Sequence, residues 1–202
     1  MNSSIIDKPN FVILDFEATC DDRERHQPRP QEIIEFASLI YSHDFKIVDE
    51  FEAFVKPYHH PILTEFCKEF TSITQRNIDT ALPFIEVFKN HQQWLDQHNI
   101  TIENAFFVTC GNWDLGKMLP AQCASAVPRV KRIPPFYMRW HNIKESFFKV
   151  RGQKKLGLKG MVKAQGLQMI GHHHRGIDDC RTIAELLRSL LNEGIRIEFT
   201  DK

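Results

Sequence analysis

Asp15 and Glu17 stand two positions apart, directly after the apolar run FVIL at residues 11–14. On an extended strand side chains alternate, so both carboxylates project from one face and Phe16 from the other. Neighbouring carboxylates at the end of a buried strand repel each other unless a cation lies between them. Hard oxygen donors of this kind favour Mg²⁺ or Mn²⁺ over zinc. A strand that simply runs out into solvent would carry the same two acids with no ion, and Asp-x-Glu alone is a common pattern.

The stretch GHHHRGIDDC at residues 171–180 contains two histidine–aspartate pairs of equal spacing, His173 with Asp178 and His174 with Asp179. The helix that follows separates them. Its apolar stripe is Ile183, Leu186, Leu187 and Leu190, and one turn back from Ile183 lies Asp179,. Asp178 falls with Thr182, Glu185 and Ser189 on the polar side. An acid on a core-facing stripe needs a cation or a hydrogen-bond partner, so Asp179 reads as a metal ligand. Asp178 reads as a solvated first-turn residue favoured by the helix dipole. His174 then sits on a loop before Asp179, with a near-neutral pKa suited to taking a proton from water. His172 and His173 read as polar loop residues; three histidines in a row are also a pattern that binds soft metals. Asp114 follows the strand AFFVTC through the turn GNW. Alone it reads as a helix-end acid. Four acids from three separated segments, each at the end of a buried element, shift that reading towards a shared ion site.

The scaffold that would bring these segments together is legible in outline. Residues 10–19 read as a central strand, followed by the charged, proline-containing loop CDDRERHQPRP,. EIIEFASLIYS and KIVDEFEAFVKP form a hairpin across a polar link at residues 42–45,. ILTEFCKEF is a short helix, and TSITQRNID follows with Thr74 as its N-cap,. Residues 83–98 carry apolar positions at helical spacing. AFFVTC and PFYMRWHNI are two more strands, with a helix after GNW between them. ESFFKV, LGLKGMVKAQGL and IDDCRTIAELLRSLLNEG are helices. Three strands, then helices alternating with two more, give an α/β fold with a mixed five-stranded sheet flanked by helices.

Composition bounds the rest. A chain of 202 residues that is 42% hydrophobic buries one sizeable core,. We read a single domain over residues 1–202, its core from about 10 to 192. Twenty-six basic residues balance twenty-six acidic ones. That excludes a protein that coats long nucleic acid by counterion release, but not an enzyme that grips one strand end. RVKR at residues 129–132 and KVRGQKK at residues 149–155 are candidate phosphate contacts, or a solvated charged surface,. Five scattered cysteines without a CxxC pair exclude a zinc ribbon or a disulfide framework,. With no signal peptide and no apolar span, the expectation is an intracellular, cytoplasmic protein with no membrane partner and no small-molecule cofactor.

DFEATC, the WD that follows a strand and glycine turn, and HRGIDDCRTIA resemble the DEDDh exonucleases, the DnaQ-like group on the RNase H-like fold. PQEIIEFASLI, PILTEFCKEFTSITQ, FFVTCGNWD, RWHNIKESF and KLGLKGMVKAQGL resemble, in order, the intervening segments of its Eri-type, histone-mRNA 3′ exonuclease-like subfamily. The resemblance implies that Asp15, Glu17, Asp114 and Asp179 hold two Mg²⁺ (or Mn²⁺) and that His174 is the general base. It implies 3′→5′ hydrolysis of RNA ends to nucleoside 5′-monophosphates. It further implies that the backbone at Ala18 and Thr19 meets the terminal 3′-hydroxyl, with Phe16, Ile73 and Trp113 near the terminal nucleoside. Ser72 departs from the pattern, which has glycine there. The small RNA-binding domain that precedes the core in some relatives has no counterpart here, so stem-loop specificity is not implied. Three other readings compete: a zinc-binding protein using the three histidines and the scattered cysteines, for which no ligand spacing speaks, a DNA-directed 3′→5′ exonuclease on the same site, and a regulatory nucleic-acid-binding module. The last would have lost one or more of the five residues.

Overall fold

Burial on both faces decides where the central strands lie. In the computed structural model, which describes residues 8–152 and 156–199, β1 (Asn10–Ala18) is flanked on one side by β2 (Ile33–Tyr41). All nine residues of β2 are buried. β3 (Ile47–Lys56) extends this antiparallel hairpin outward. On its other side β1 pairs in parallel with β5 (Ala105–Thr109), and β5 pairs in parallel with β6 (Trp140–Asn142). Parallel strands demand crossover connections, and helices supply them.

The expected mixed α/β sheet is present, with six strands where five were expected. The extra strand, β4 (Leu82–Pro83), is two residues long and pairs in parallel with the end of β3. It falls where the sequence reads as the start of a helix. Two residues carry no periodicity, and Pro83 has no N–H to give a ladder, which suits it to an edge. PFYMRWHNI is likewise only partly a strand. Its first half forms a 3₁₀ turn at Pro135–Met138, and only Trp140–Asn142 pairs.

The helices cover the sheet in two layers. The even positions Val12, Leu14 and Phe16 of β1 pack with Phe36 and with α3 (Phe84–Gln97) and α4 (Leu119–Ser125). The odd positions Phe11 and Ile13 pack against α5 (Ile143–Arg151), α6 (Leu158–Ala164) and α7 (Gly176–Asn192). Ile183, Leu186, Leu187 and Leu190 of α7 are completely buried, as the stripe requires. Each such side chain contributes about 1.5–3 kcal/mol relative to exposure. The short helices α1 (Glu65–Thr71) and α2 (Gln75–Asp79) close the end of the sheet around Ile34, Leu63, Cys67, Ile73 and Ile78. Thr74 caps α2 in a reciprocal box with Asn77. Among the described residues no helix is long and apolar enough to cross a membrane, and all five cysteines are free thiols.

Candidate active site

Strand alternation places Asp15 and Glu17 on the odd face of β1, beyond Ile13 and towards the start of α7. The first turn of α7 turns Asp179 inward to meet them. One oxygen from each of Asp15, Glu17 and Asp179 lies within 4.8 Å of the others. Asp114 opens a single π-helical turn (Asp114–Met118) after β5. Its Oδ1 accepts a hydrogen bond from the Phe16 N–H at 3.1 Å, between the two strand acids. The turn that delivers it requires Gly111, whose φ of +117° is open only to glycine,. A β-bulge in the β1–β2 pairing follows immediately after Glu17 and re-aims the backbone at Ala18,.

This crowding leaves a clear electrostatic mark. Burial, and then the charges of Asp114, Glu17 and Asp179, hold the Asp15 carboxyl well above its ordinary range. Burial, and then Glu35 and Asp179, push Glu17 up to about 9. Burial raises Asp114 to about 6, against the opposing Phe16 N–H and the Lys144 ammonium. All four donors are hard carboxylates; Glu17, Asp114 and Asp179 are buried and Asp15 is half-buried. That set fits Mg²⁺ or Mn²⁺, and cation binding would relieve the repulsion that otherwise forces protons onto the acids.

α7 meets the sheet closely at Gly176. A Cβ there would stand 2.9 Å from the Ala37 Cβ, 3.2 Å from Glu35 Cδ and 3.3 Å from the Asp15 carbonyl oxygen. Arg175, the N-cap, makes no side-chain cap hydrogen bond. Glu35 of β2 does so instead, accepting from Gly176 N–H at 3.1 Å and Ile177 N–H at 3.4 Å. The Arg175 guanidinium bonds Glu35 at 3.1 Å and also reaches Glu52. Glu35 is completely buried beside Glu17. The sequence carried a signal for it, an acid inside a strand otherwise buried throughout, which needs a partner.

The three histidines lie in the loop preceding α7, as the sequence reads. His174 has a φ of +69°, and its N–H donates to Asp179 Oδ2 at 3.0 Å. Its ring is stacked between Phe70 and His173, with centroids 3.8 Å away on each side. Burial, and then His173, lower its pKa, while Asp179 opposes them. His173 is a loop residue, as the sequence reads, and from the loop it also brings Nδ1 to 3.0 Å from Asp179 Oδ1 and 3.1 Å from Oδ2. Asp178, expected to be solvated beside Thr182, is only partly exposed and Thr182 is buried; its carboxylate accepts from the His172 N–H at 2.9 Å and from Arg181 at 2.8 Å. Ser72, the departure from glycine, ends α1 in the left-handed region at φ 60°. That conformation costs a non-glycine residue about 1–2 kcal/mol, and the serine hydroxyl lies 3.2 Å from His172 Nε2.

Of the five residues expected at the terminal nucleoside, Trp113 is 38% exposed, whereas Phe16 and Ile73 are core residues. Phe16 packs edge-on against Phe36 at 4.6 Å, and Ile73 is sealed beneath α1 and α2. Ala18 and Thr19 are buried at the end of β1; the Thr19 N–H donates to the Glu32 carbonyl oxygen at 2.8 Å. Residues 129, 131 and 132 of the RVKR cluster are exposed. In the KVRGQKK cluster Lys149 and Arg151 are committed to ion pairs with Glu198 and Glu193, each at 2.8 Å, and residues 153–155 lie outside the described residues.

The profile of the Exonuclease (RNase_T) family matches residues 12–187, from β1 into α7. The chain belongs to the Exonuclease family. Within it, this exonuclease-family chain is 38% identical over 197 residues to human ERI1 exoribonuclease 3, covering 95% of this chain and 56% of that protein. It is 36% identical over 199 residues to human 3′-5′ exoribonuclease 1, covering 95% and 55%. It thus spans about half the length of the curated relatives it matches. Among solved structures, the nuclease domain of 3′hExo, a DEDDh family member bound to rAMP, superposes with a TM-score of 0.86 at 31% identity. That match covers 100% of both chains. The complex described as 3′-end specific recognition of histone mRNA stem-loop by 3′-exonuclease gives a TM-score of 0.86 at 31% identity, covering 96% and 68%.

Proposed function

We propose that this chain is a 3′→5′ exoribonuclease that removes nucleoside 5′-monophosphates from RNA 3′ ends. The observation that carries the proposal is the convergence of Asp15, Glu17 and Asp179 within 4.8 Å, with Asp114 fixed between the two strand acids by the Phe16 N–H. These four carboxylates would hold two Mg²⁺ or Mn²⁺ ions. When bound, such a pair supplies an activated water and neutralises charge on the phosphate and the leaving oxygen.

The chain's own groups do the rest. His174 accepts a proton from the attacking water, and its lowered pKa keeps the ring neutral and ready to do so,. The Phe70 and His173 rings hold it at the mouth of the carboxylate cluster. The bulged backbone at Ala18 and Thr19 receives the terminal 3′-hydroxyl, and Trp113 offers an exposed face to the terminal base,. Phe16 and Ile73, both buried in the core, support this region without offering a face to the base. The exposed residues of RVKR contact phosphates further along the strand. Preference for RNA rests on the relatives' names, and five free thiols favour a reducing, cytoplasmic setting,.

Single-stranded RNA and DNA labelled at the 5′ end, each with a 3′-hydroxyl or a 3′-phosphate, test this in Mn²⁺ and in EDTA. The expected result is stepwise shortening of the 3′-hydroxyl RNA in Mn²⁺ only. Cleavage of 3′-phosphate or circular RNA would mean an endonuclease. Equal or faster loss of DNA would remove the RNA assignment.

A further inference from the structure

Asp179 stands between two different sets of donors. One is the pair of carboxylates on β1. The other is the imidazoles of His173 and His174, whose ligating atoms and an Asp179 oxygen lie within 4.8 Å of one another. His173 Nδ1 is 3.0 and 3.1 Å from the two Asp179 oxygens. Two ligands of a tetrahedral zinc ion, each about 2.0–2.1 Å from the metal, stand about 3.3 Å apart. The histidine–aspartate pair is therefore already close to a ligand edge. The stacked His174 ring, 3.8 Å from that of His173, places a second imidazole beside it. Phe70 supports the outer face of His174, so the donors are held in place without the ion.

We propose that His173, His174 and Asp179 form a second metal site, selective for zinc-class transition ions, which silences the nuclease site by taking Asp179 and His174 out of use. The silencing rests on the function proposed above; the binding does not. Imidazole nitrogen favours zinc over magnesium, whereas an all-carboxylate site favours magnesium. The two sites therefore differ in the ion they select but share one ligand, and occupation of one opposes the other. His173 is the donor that distinguishes them, because it is a ligand only in the second site; in hydrolysis it does no more than support the His174 ring.

Zn²⁺ alone is the probe, used with the full chain in two measurements. One is competition with a chromogenic chelator, and the other is RNA hydrolysis in excess Mg²⁺ as Zn²⁺ is raised. His173→Asn is the variant, since its side-chain amide keeps a donor for Asp179 near the position of Nδ1. The variant is referred to its own zinc-free rate, because it also removes the ring stacked on His174. It should require at least about tenfold more Zn²⁺ for half-inhibition, the lower end of what losing even a supporting group costs a metal site. Chelator competition should show one tight zinc in the wild type and none in the variant. Equal zinc sensitivity of the two proteins would overturn the proposal, because zinc would then act through the carboxylates alone. Zinc that persists in His173→Asn and is lost in Cys67→Ala would overturn it as well, by assigning the ion to thiols. If the wild type hydrolyses nothing, the chelator result still decides the site, and only the function fails.

Discussion

Replacing Asp15 by asparagine removes one negative charge from the cluster while leaving its volume almost unchanged. With Asp15, Glu17 and Asp179 oxygens within 4.8 Å of one another, each fully ionised pair repels by about 3.5 kcal/mol at an effective dielectric of about 20. Protons already relieve part of this, because Asp15 itself is held well above its ordinary range and Glu17 keeps its proton up to about pH 9. The expected net gain in the metal-free protein near neutral pH is therefore smaller, about 1–3 kcal/mol. For a domain of this size that is a rise in melting temperature of about 3–10 °C. In Mg²⁺ the order should reverse, because the wild type gains stability by binding ions that Asp15→Asn has lost the means to hold. Scanning fluorimetry of both proteins in EDTA and across a Mg²⁺ titration gives all four values. A variant that melts lower than the wild type in EDTA would refute the reasoning. Asp15 would then be a structural hydrogen-bond acceptor, and the repulsion inferred from its neighbours would not exist.

His174→Ala should lower kcat by about 10²–10⁴-fold while Mn²⁺ affinity, measured by calorimetry, is retained; lost Mn²⁺ binding would make it a ligand instead. Gly176→Ala should cost about 1–3 kcal/mol in the chemical melt, because the added carbon stands 2.9 Å from Ala37 Cβ. It should also depress hydrolysis, since α7 carries Asp179. For pH, Glu17 binds its proton more tightly folded, at about 9, than its ordinary value of 4.5. Its contribution is complete below that ordinary value and is lost as pH rises towards 9. The melting temperature in EDTA should therefore fall across that window, and saturating Mg²⁺ should flatten the slope; a rise with pH in EDTA would contradict the assignment.

The parts of the site that local periodicity dictates were legible in the sequence. The alternation of β1 put Asp15 and Glu17 on one face, and the stripe of α7 separated Asp179 from Asp178, because each rule acts within one element. What escaped were contacts between elements distant along the chain. Glu35 caps α7 from 141 residues away, and nothing in EIIEFASLI states which helix will need it. The bond from His173 to Asp179 has no trace in the sequence because it depends on how the left-handed turn at His174 directs two adjacent rings. Lys144, beside Asp114, comes from the start of α5 and shares no spacing with the other site residues. β4 escaped for a simpler reason, being too short for a pattern.

The hydrogen bonds that Asp114 and Asp179 accept from main-chain N–H groups, Phe16 on one side and His174 on the other, have a mechanical meaning. Side chains moored to the backbone cannot swing apart when nothing neutralises them. The enclosure behaves as a fixed mould and not as a hand that opens. Its tension has two outlets, uptake of a proton or uptake of a cation, and neither requires the chain to refold. Loading and emptying should therefore be fast and reversible, with the protein passing between its acid-filled and ion-filled forms on nearly the same backbone.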